Sequence, residues 1–533
     1  MPLSVYNTLT RQMEPFQPID EPFVRIYVCG PTVYGDSHLG HAKSYISFDV
    51  IVRYLRFIGY KVLYVQNITD VGHLTDDADE GEDKLLREAR ADRVHPMQIA
   101  ERYTRSYYED MDALQVLRPD IAPRASGHIT EQIELVKALL ARGLAYEANG
   151  SVYFDVRAFA GYGKLSGRSL DELNAGVRID VKSEKRYPAD FALWKKAEPG
   201  HIMRWPSPWG EGFPGWHVEC SAMSMKYLGQ SIDIHGGGLE NQFPHHECEI
   251  AQSEGATGKP FVKYWLHNNM VTVDGRKMGK SLGNSITLKE AFKRWSAPVV
   301  RFFVLQSHYR STLDFSEDAL RGAAKGLERL HTAIRQVRER LGGAVKVAGS
   351  SEISAATHAQ TIPESTSGNT STRAQALPVS TGGNTTLHPN TLQNFGSPIG
   401  IDLNAYAQRF RTAMDEDFNT PQAIAVLFDL SREVNTALQQ GAPIAESDLQ
   451  VLDTFFAKFA GDVLGIMPGA ATPAGEDQNL EQGLMSLILS LRTETRKEKL
   501  WTLADKIRDG LTQIGITLED KKEGTTWKRA PKG

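Results

Sequence analysis

The sequence predicts an α/β chain: a parallel-sheet domain interrupted by a compact insertion, then helical C-terminal domains. Three observations carry this. The apolar run Val24, Ile26, Val28 breaks at Gly30-Pro31 and re-enters regular structure at His38-Leu39-Gly40-His41, which reads as strand, loop and helix start. From Ser44 to Leu55, the residues Ile46, Val50, Ile51, Tyr54 and Leu55 keep helical spacing, and Gly59 to Asp70 reads as a buried strand. Strand, helix and strand at this length make half of a parallel α/β unit. From Ser316 on, Leu320, Leu327, Leu330, Ile334, Val337 and Leu341 trace one face of a long helix, the stripe of a helix packed on others.

The other elements follow in order. Glu82 to Leu144 is helical with breaks at Pro96 and Pro119, and Gly150 to Val156 alternates like a strand. The stretch up to Trp216 is rich in Gly, Pro and Trp and reads as the insertion. Ser231 to His235 is a short strand followed by Gly236-Gly237-Gly238, a side-chain-free floor or a plain turn. Phe243 leads into a helix through Ala251, and Phe261 to His267 is again strand-like. Residues 343–399 are rich in Ser, Thr, Gly, Asn and Pro and bury too little apolar surface to offset their ordering entropy. Helical patterning resumes at Leu403 and runs to about Leu464, with a new start at Phe418-Asn419-Thr420-Pro421. After a lapse over Pro468 to Asp477, a helix is expected from Leu480 to Ile514, then a basic, polar tail from Lys521.

At 533 residues the chain is too long for one core, so two to four domains are expected. A net charge of −5 advertises no global basic field, although a local basic stripe can still bind phosphates. No apolar run reaches the ~18 residues of a membrane span, and the N-terminus lacks a signal-peptide pattern, so a cytoplasmic enzyme without membrane contact is expected. Three cysteines, Cys29, Cys220 and Cys248, are an odd count without a secretion signal, which argues against a disulfide framework.

Chemistry concentrates at strand ends. Cys29 and Thr69 fall where ligands of parallel sheets sit, beyond the carboxyl ends of strands. A helix start at His38-Leu39-Gly40-His41 offers unpaired N–H groups and a positive dipole end to an anion such as phosphate. His245 and Glu249 are four apart and share a helical face, while Cys248 points to a neighbouring edge, so either residue can chelate alongside His245. Asp274 to Asn284 is a basic loop between glycines in which Lys277 and Lys280 can both reach one polyphosphate, as point charges.

His38-Leu39-Gly40-His41 and Lys277-Met278-Gly279-Lys280-Ser281 together resemble the two signatures of class I aminoacyl-tRNA synthetases. The surrounding stretches are similar to the cysteinyl-tRNA synthetase family: Cys29-Gly30-Pro31-Thr32-Val33-Tyr34, Asn67-Ile68-Thr69-Asp70, Pro214 to Met223, Phe243-Pro244-His245-His246-Glu247, Asp190 to Lys195, Asp417 to Pro421 and Gly524-Thr525-Thr526-Trp527. The resemblance covers nearly all the chain except 343–399.

What the resemblance implies is specific. A Rossmann-like catalytic domain is expected in two halves, 1–130 and 215–275, around a connective insertion at 131–214. The lysine signature loop and stem-contact region would occupy 276–315. A tRNA-binding helical bundle with its low-complexity insertion would span 316–467, and an anticodon-recognition segment 478–533. One zinc ion per chain is implied on Cys29, Cys220, His245 and Glu249; Cys248 stands where relatives commonly carry asparagine. The catalytic residues implied are His38, His41, Lys277 and Lys280. ATP would be held by these four with Gly40, Gly237 and Ser281, and Mg²⁺ would come with it. L-cysteine would meet Thr69, Trp216, His217 and Glu240, the last standing where many relatives have aspartate. The implied reaction is ATP-dependent activation of cysteine and its transfer to the 3′-terminal adenosine of tRNA(Cys), by a monomer. Two other readings share these motifs: a ligase joining activated cysteine to an amino sugar, and a non-catalytic tRNA-binding protein built on the same fold.

Overall fold

The computed structural model describes residues 2–72, 84–169, 184–279, 283–342, 394–440, 444–468, 474–513, 516–521 and 524–529. Lys280, Ser281 and nearly all of the Ser/Thr-rich stretch lie outside them. The described residues fall into two compact units, one running to Met467 and one from Pro468 onward.

The first unit is organised on a four-stranded parallel sheet in the order Val262–Asn268, Ile232–Gly238, Phe23–Val28, Lys61–Gln66. Two strand-helix-strand units meet in its middle. Phe23–Val28 and Lys61–Gln66 are joined across helix Leu39–Phe57, and Ile232–Gly238 and Val262–Asn268 across helix His245–Thr257. The chain therefore leaves the central strand pair in opposite directions, and the crevice at the carboxyl ends of that pair is the topological switch point where such sheets bind ligands.

Helix Leu39–Phe57 has thirteen buried residues of nineteen, the signature of a helix covered on nearly every side. The sheet lies on one side, and helical segments of the same unit press on the other through Phe57 against Phe459 and Tyr54 against Phe418. Gly59, at φ +104°, turns the chain back into the next strand.

Of the two readings of the glycine triplet, a side-chain-free floor or a plain turn, the strand pairing excludes the turn. The strand continues through Gly238, with Gly236, Gly237 and Gly238 paired to Leu266, His267 and Asn268. The reason is steric: a Cβ on Gly236 would lie 2.2 Å from the Phe48 ring, and one on Gly237 2.8 Å from His246. Glycine in a central strand here marks close approach of a helix.

The insertion forms its own antiparallel sheet, Ala145–Ala148, Ser151–Phe154, Phe191–Lys196 and Gly212–Pro214 in sequential order. Its last strand feeds directly into helix Trp216–Leu228, which carries Cys220. Beyond the parallel sheet, Val271–Val273 pairs with Arg276–Lys277 and with Leu313–Phe315. The predicted long helix spans Glu317–Arg340, capped by Ser316. It packs with Thr420–Gln439 and Glu446–Phe456, Leu403–Asp415 packs on Thr420–Gln439, and Glu446–Phe456 continues as a π-helical stretch to Val463.

The second unit contains two helices, Ala474–Lys497 and Trp501–Gln513, and a hairpin of Ile516–Lys521 with Gly524–Arg529. The single helix expected from Leu480 to Ile514 thus starts earlier and is broken, with Lys499 in the left-handed region at φ +63°. The tail is not merely polar. Trp527 pairs opposite Leu518 and packs on the small core of Met485, Leu511 and Ile516.

Among the described residues no helix is long and apolar enough to cross a membrane.

Candidate functional site

A cavity of about 250 Å³ opens at the switch point. Its floor comes from the turn after strand Phe23–Val28, where Asn67 fastens the loop by accepting the Gly30 N–H at 2.8 Å. A Cβ at Gly30 would lie 1.6 Å from the Asn67 carbonyl oxygen, so the residue there must be glycine. The Thr69 N–H donates to the Pro31 carbonyl at 3.0 Å, and Asn67 Nδ2 donates to Thr69 Oγ1 at 2.9 Å. Two strand ends are thereby clamped side by side.

One wall is the start of helix Leu39–Phe57, and here histidine does what Ser or Asp usually does. His38 is the N-cap: its Nδ1 accepts the N–H groups of Gly40 at 3.1 Å and His41 at 3.4 Å. His41 Nδ1 in turn accepts the His38 N–H at 3.2 Å, completing a capping box of two imidazoles. The rings stack with centroids 3.8 Å apart. An Nδ1 that accepts carries no proton, so in each neutral ring the N–H is at Nε2. Both histidines and the N-terminus of this helix line the same cavity, a combination suited to an anion.

At the cavity floor four donors converge from three elements. Cys29 follows the first strand, Cys220 lies on helix Trp216–Leu228, and His245 and Glu249 lie one turn apart on helix His245–Thr257. Their ligand atoms are all within 4.8 Å of one another and all four residues are buried. His245 Nε2 lies 3.1 Å from Glu249 Oε1, and Cys29 Sγ 3.7 Å from the same oxygen. Helix phase decides between the two candidate partners of His245. Glu249 joins the cluster, while Cys248 is buried in a different core with its Sγ 3.5 Å from the Tyr162 hydroxyl.

The electrostatics of the cluster call for positive charge. Burial works against the Glu249 carboxylate, but His235 and His245 outweigh it and hold the group at about 2. A hydrogen bond from Cys29, against the cost of burial, brings Cys220 down to about 6. Burial pushes the Cys29 thiol up instead, aided by Cys220. Burial also opposes a charge on His245, yet its hydrogen bonds with Cys220 and Glu249 lift it to about 10. Two sulfurs, one imidazole and one carboxylate are the donors of a tetrahedral zinc site. A divalent cation would replace the proton that the cluster otherwise draws onto His245.

A second layer of histidines orients these donors. His217 Nδ1 lies 2.9 Å from His245 Nδ1, which leaves His245 Nε2 turned to the cluster. His235 Nε2 meets Glu249 Oε2 at 2.8 Å, and His246 Nε2 lies 3.2 Å from Cys29 Sγ. Such partners fix ligand tautomer and direction.

Most residues singled out in the sequence come together. Cys29, His38, Gly40, His41, Thr69, Trp216, Cys220, Glu240 and His245 all line the cavity. His217 stands behind His245 rather than in the wall, and Gly237 lies beneath the wall against His246 and Asn241, with Gly238 lining in its place. Lys277 is exposed on a two-residue strand and is not part of the lining. Sequence reading missed Asp36, Asn241 and Lys84 as lining residues. Lys84 opens a helix after an acidic run, a pattern without a motif to flag it.

Family models and known relatives match the chain over most of its length. A family model described as the class I (C) tRNA synthetase catalytic domain matches residues 15–325, and a DALR domain model matches 409–468. The cysteine--tRNA ligase of Chlorobium chlorochromatii is 53% identical over 531 residues, covering 99% of both chains. That of Deinococcus radiodurans is 47% identical over 532 residues, covering 99% of this chain and 97% of its own. Among solved structures, Mycobacterium tuberculosis methionyl-tRNA synthetase with methionyl-adenylate superposes with a TM-score of 0.52 at 14% identity, covering 84% of this chain and 92% of the other. A LeuRS–tRNA–LeuAMS complex from Agrobacterium radiobacter gives 0.53 at 12% identity, covering 86% and 87%. The last two show a shared fold.

Proposed function

The chain belongs to the cysteine--tRNA ligase family of class I aminoacyl-tRNA synthetases, and from that premise we propose how its own residues carry the reaction. Membership implies ATP, L-cysteine and tRNA(Cys) as substrates. Ligation to an amino sugar is set aside by the match to these ligases over 99% of the chain.

The observation that carries the proposal is the four-donor cluster at the floor of a cavity walled by the histidine turn. Cys29, Cys220, His245 and Glu249 fit zinc in donor type, burial and mutual distance. When bound, zinc supplies a soft Lewis acid that takes a thiolate far better than a neutral hydroxyl. That difference matters because pocket shape alone separates near-isosteres such as cysteine and serine by only about 10²-fold.

The chain's other residues handle the rest of the substrate. Trp216, its ring tilted against that of His245 with centroids 4.5 Å apart, and Thr69 border the space above the cluster. Glu240 brings a carboxylate to the same cavity, its oxygens folded back over Gly238, where a Cβ would be 2.3 Å away. The role assigned to Glu240 is to receive the cysteine ammonium, the backfold absorbing its extra methylene. His217 acts through His245 rather than on the substrate.

For the first step the cysteine carboxylate oxygen attacks the α-phosphorus of magnesium-ATP. The bond from that phosphorus to the bridging oxygen breaks, and pyrophosphate leaves with the bonding pair. Positioning and charge stabilisation are what the protein contributes. His38 and His41 donate Nε2–H to phosphate oxygens, Gly40 lets the ligand approach the helix start, and Lys277 with Lys280 neutralises the leaving group. In the second step a ribose hydroxyl of the tRNA 3′-terminal adenosine attacks the acyl carbon and AMP departs. The helical region and the unit after Pro468 are assigned to tRNA.

The test is ATP–pyrophosphate exchange driven by cysteine and by serine. Cys220→Ala is expected to lose bound zinc and cysteine-dependent exchange together, and Lys280→Ala to slow exchange with zinc retained. Full exchange in a zinc-free Cys220→Ala chain overturns the metal assignment.

A further inference from the structure

Between the exposed Lys277 and the histidine wall runs a set of contacts that the reaction has not yet used. Asn284 Oδ1 accepts the N–H of Gly279 at 2.9 Å, and Asn284 Nδ2 donates to the carbonyl of Lys277 at 3.0 Å. One primary amide therefore grips the two peptide groups that flank Met278, in the manner of a strand neighbour. Only a side chain with one acceptor and one donor on the same short stem makes both bonds.

What this grip holds is Met278. Its Cε reaches to 3.5 Å from the position a Cβ on Gly40 would take, so the methionine tip rests on the turn capped by His38. On the far side of the loop the backbone is fastened to that same turn. Leu39 N–H donates to the Ile286 carbonyl at 3.2 Å, Leu288 N–H donates to the Ser37 carbonyl at 2.7 Å, and His38 bridges to Thr287. On the near side, Met278 N–H reaches the Val271 carbonyl at 3.4 Å and Lys277 pairs with Thr272. The two ends of the lysine segment are thus tied to separate elements, and Asn284 is the tie between them.

We propose that Asn284 is a positioning residue for adenylate formation: it fixes the backbone at Lys277–Gly279 and seats Met278 on the Gly40 turn, so that the lysine segment is held beside the two histidines that meet the polyphosphate. The proposal rests on the reading of Lys277 and Lys280 as cations for the leaving group. Asn284 itself touches no substrate; it acts through the peptide groups it holds.

The experiment compares Asn284→Ala and Asn284→Asp with the unsubstituted full-length chain in two measurements. The first is trypsin cleavage after Arg276 and Lys277 in the folded protein, which reads the grip directly. The second is ATP–pyrophosphate exchange with cysteine, split into kcat and KM. Asn284→Ala is expected to be cut faster and to lose about 10-fold in kcat, with cysteine KM and zinc content unchanged. Asn284→Asp keeps the bond from Gly279 N–H but loses donation to Lys277, and should fall between. Unchanged cleavage overturns the proposal. Faster cleavage with unchanged exchange also overturns it, and Lys280→Ala then says which part failed. If Lys280→Ala slows exchange, the lysine reading stands and the positioning role of Asn284 alone is wrong. If Lys280→Ala is silent too, the lysine reading has fallen.

Discussion

His38 and His41 each accept a backbone N–H through Nδ1 at the start of the same helix, and their rings lie parallel within 11° at 3.8 Å. The pair therefore caps a helix through Nδ1 while each neutral ring carries its N–H on the other nitrogen, Nε2, so structural and catalytic roles are separable by substitution. Asparagine at position 38 can still cap but offers no ring donor. His38→Asn should stay within about 1 kcal/mol of the parent in urea unfolding while exchange falls at least ~10-fold. His38→Ala should lose both. Normal exchange by His38→Asn would show that the ring donor is idle.

Metal removal should act on selectivity as much as on rate. With chelator-treated protein, elemental analysis and exchange driven by each amino acid should show the preference for cysteine over serine sinking to about 10²-fold or less. Re-addition of zinc should restore it. A stripped chain that still rejects serine strongly would locate discrimination elsewhere.

Glu240 and Gly238 should behave as one feature. Gly238→Ala puts a methyl group where the Glu240 oxygens now lie, 2.3 to 2.5 Å from the new carbon. Both Gly238→Ala and Glu240→Ala are expected to raise the cysteine KM by about 10-fold or more, with the ATP KM little changed. An unaltered cysteine KM in Glu240→Ala removes the ammonium contact.

Arg301 and Asp49 form a fully buried ion pair, and the guanidinium also donates to the carbonyls of Leu464, Leu114 and Gln115. Removing one partner leaves a buried charge alone, so Arg301→Leu should cost about 3–5 kcal/mol in urea unfolding at pH 7. Burial favours the neutral acid at Asp49, but Arg301 and Arg53 outweigh it and hold the carboxyl below its ordinary 3.8. A group lowered on folding stabilises above its unfolded value and loses that contribution as the pH falls through the folded one. The advantage of the parent over Asp49→Asn should accordingly be full at pH 7 and shrink below pH 3.8. A pH-independent difference would mean the pair carries no linked charge.

The unit from Pro468 has its own small core of Met485, Leu511 and Ile516. A chain ending at Met467 should therefore keep cysteine-dependent exchange within about twofold of the parent, while the KM for tRNA in aminoacylation rises by at least ~10-fold. Equal tRNA KM values would remove this unit from recognition.

Much of the fold was legible in the sequence because its signals are local. The alternation of Val24, Ile26 and Val28 and the periodicity from Leu320 to Val337 report burial within a few residues of each position. The glycine triplet was ambiguous for the opposite reason. Nothing near Gly236 in the chain announces that Phe48 occupies its side-chain space, so the choice between a floor and a turn stayed open in the sequence. The partial burial of Trp527 was hidden likewise, since its partners Met485 and Leu511 lie far along the chain.

By itself the sequence determined which chemistries were present and in what order: two histidines on a helix start, three scattered cysteines, a basic loop and a His-Glu pair one turn apart. Tertiary structure decided which of these meet. Cys29 and Cys220 are 191 positions apart, yet their sulfurs join one cluster; Cys248, beside Glu249 in the chain, faces a different core. The physical reason is that helix rotation and strand order set the direction of a side chain, and both are fixed by packing over the whole sheet rather than by neighbours in the chain.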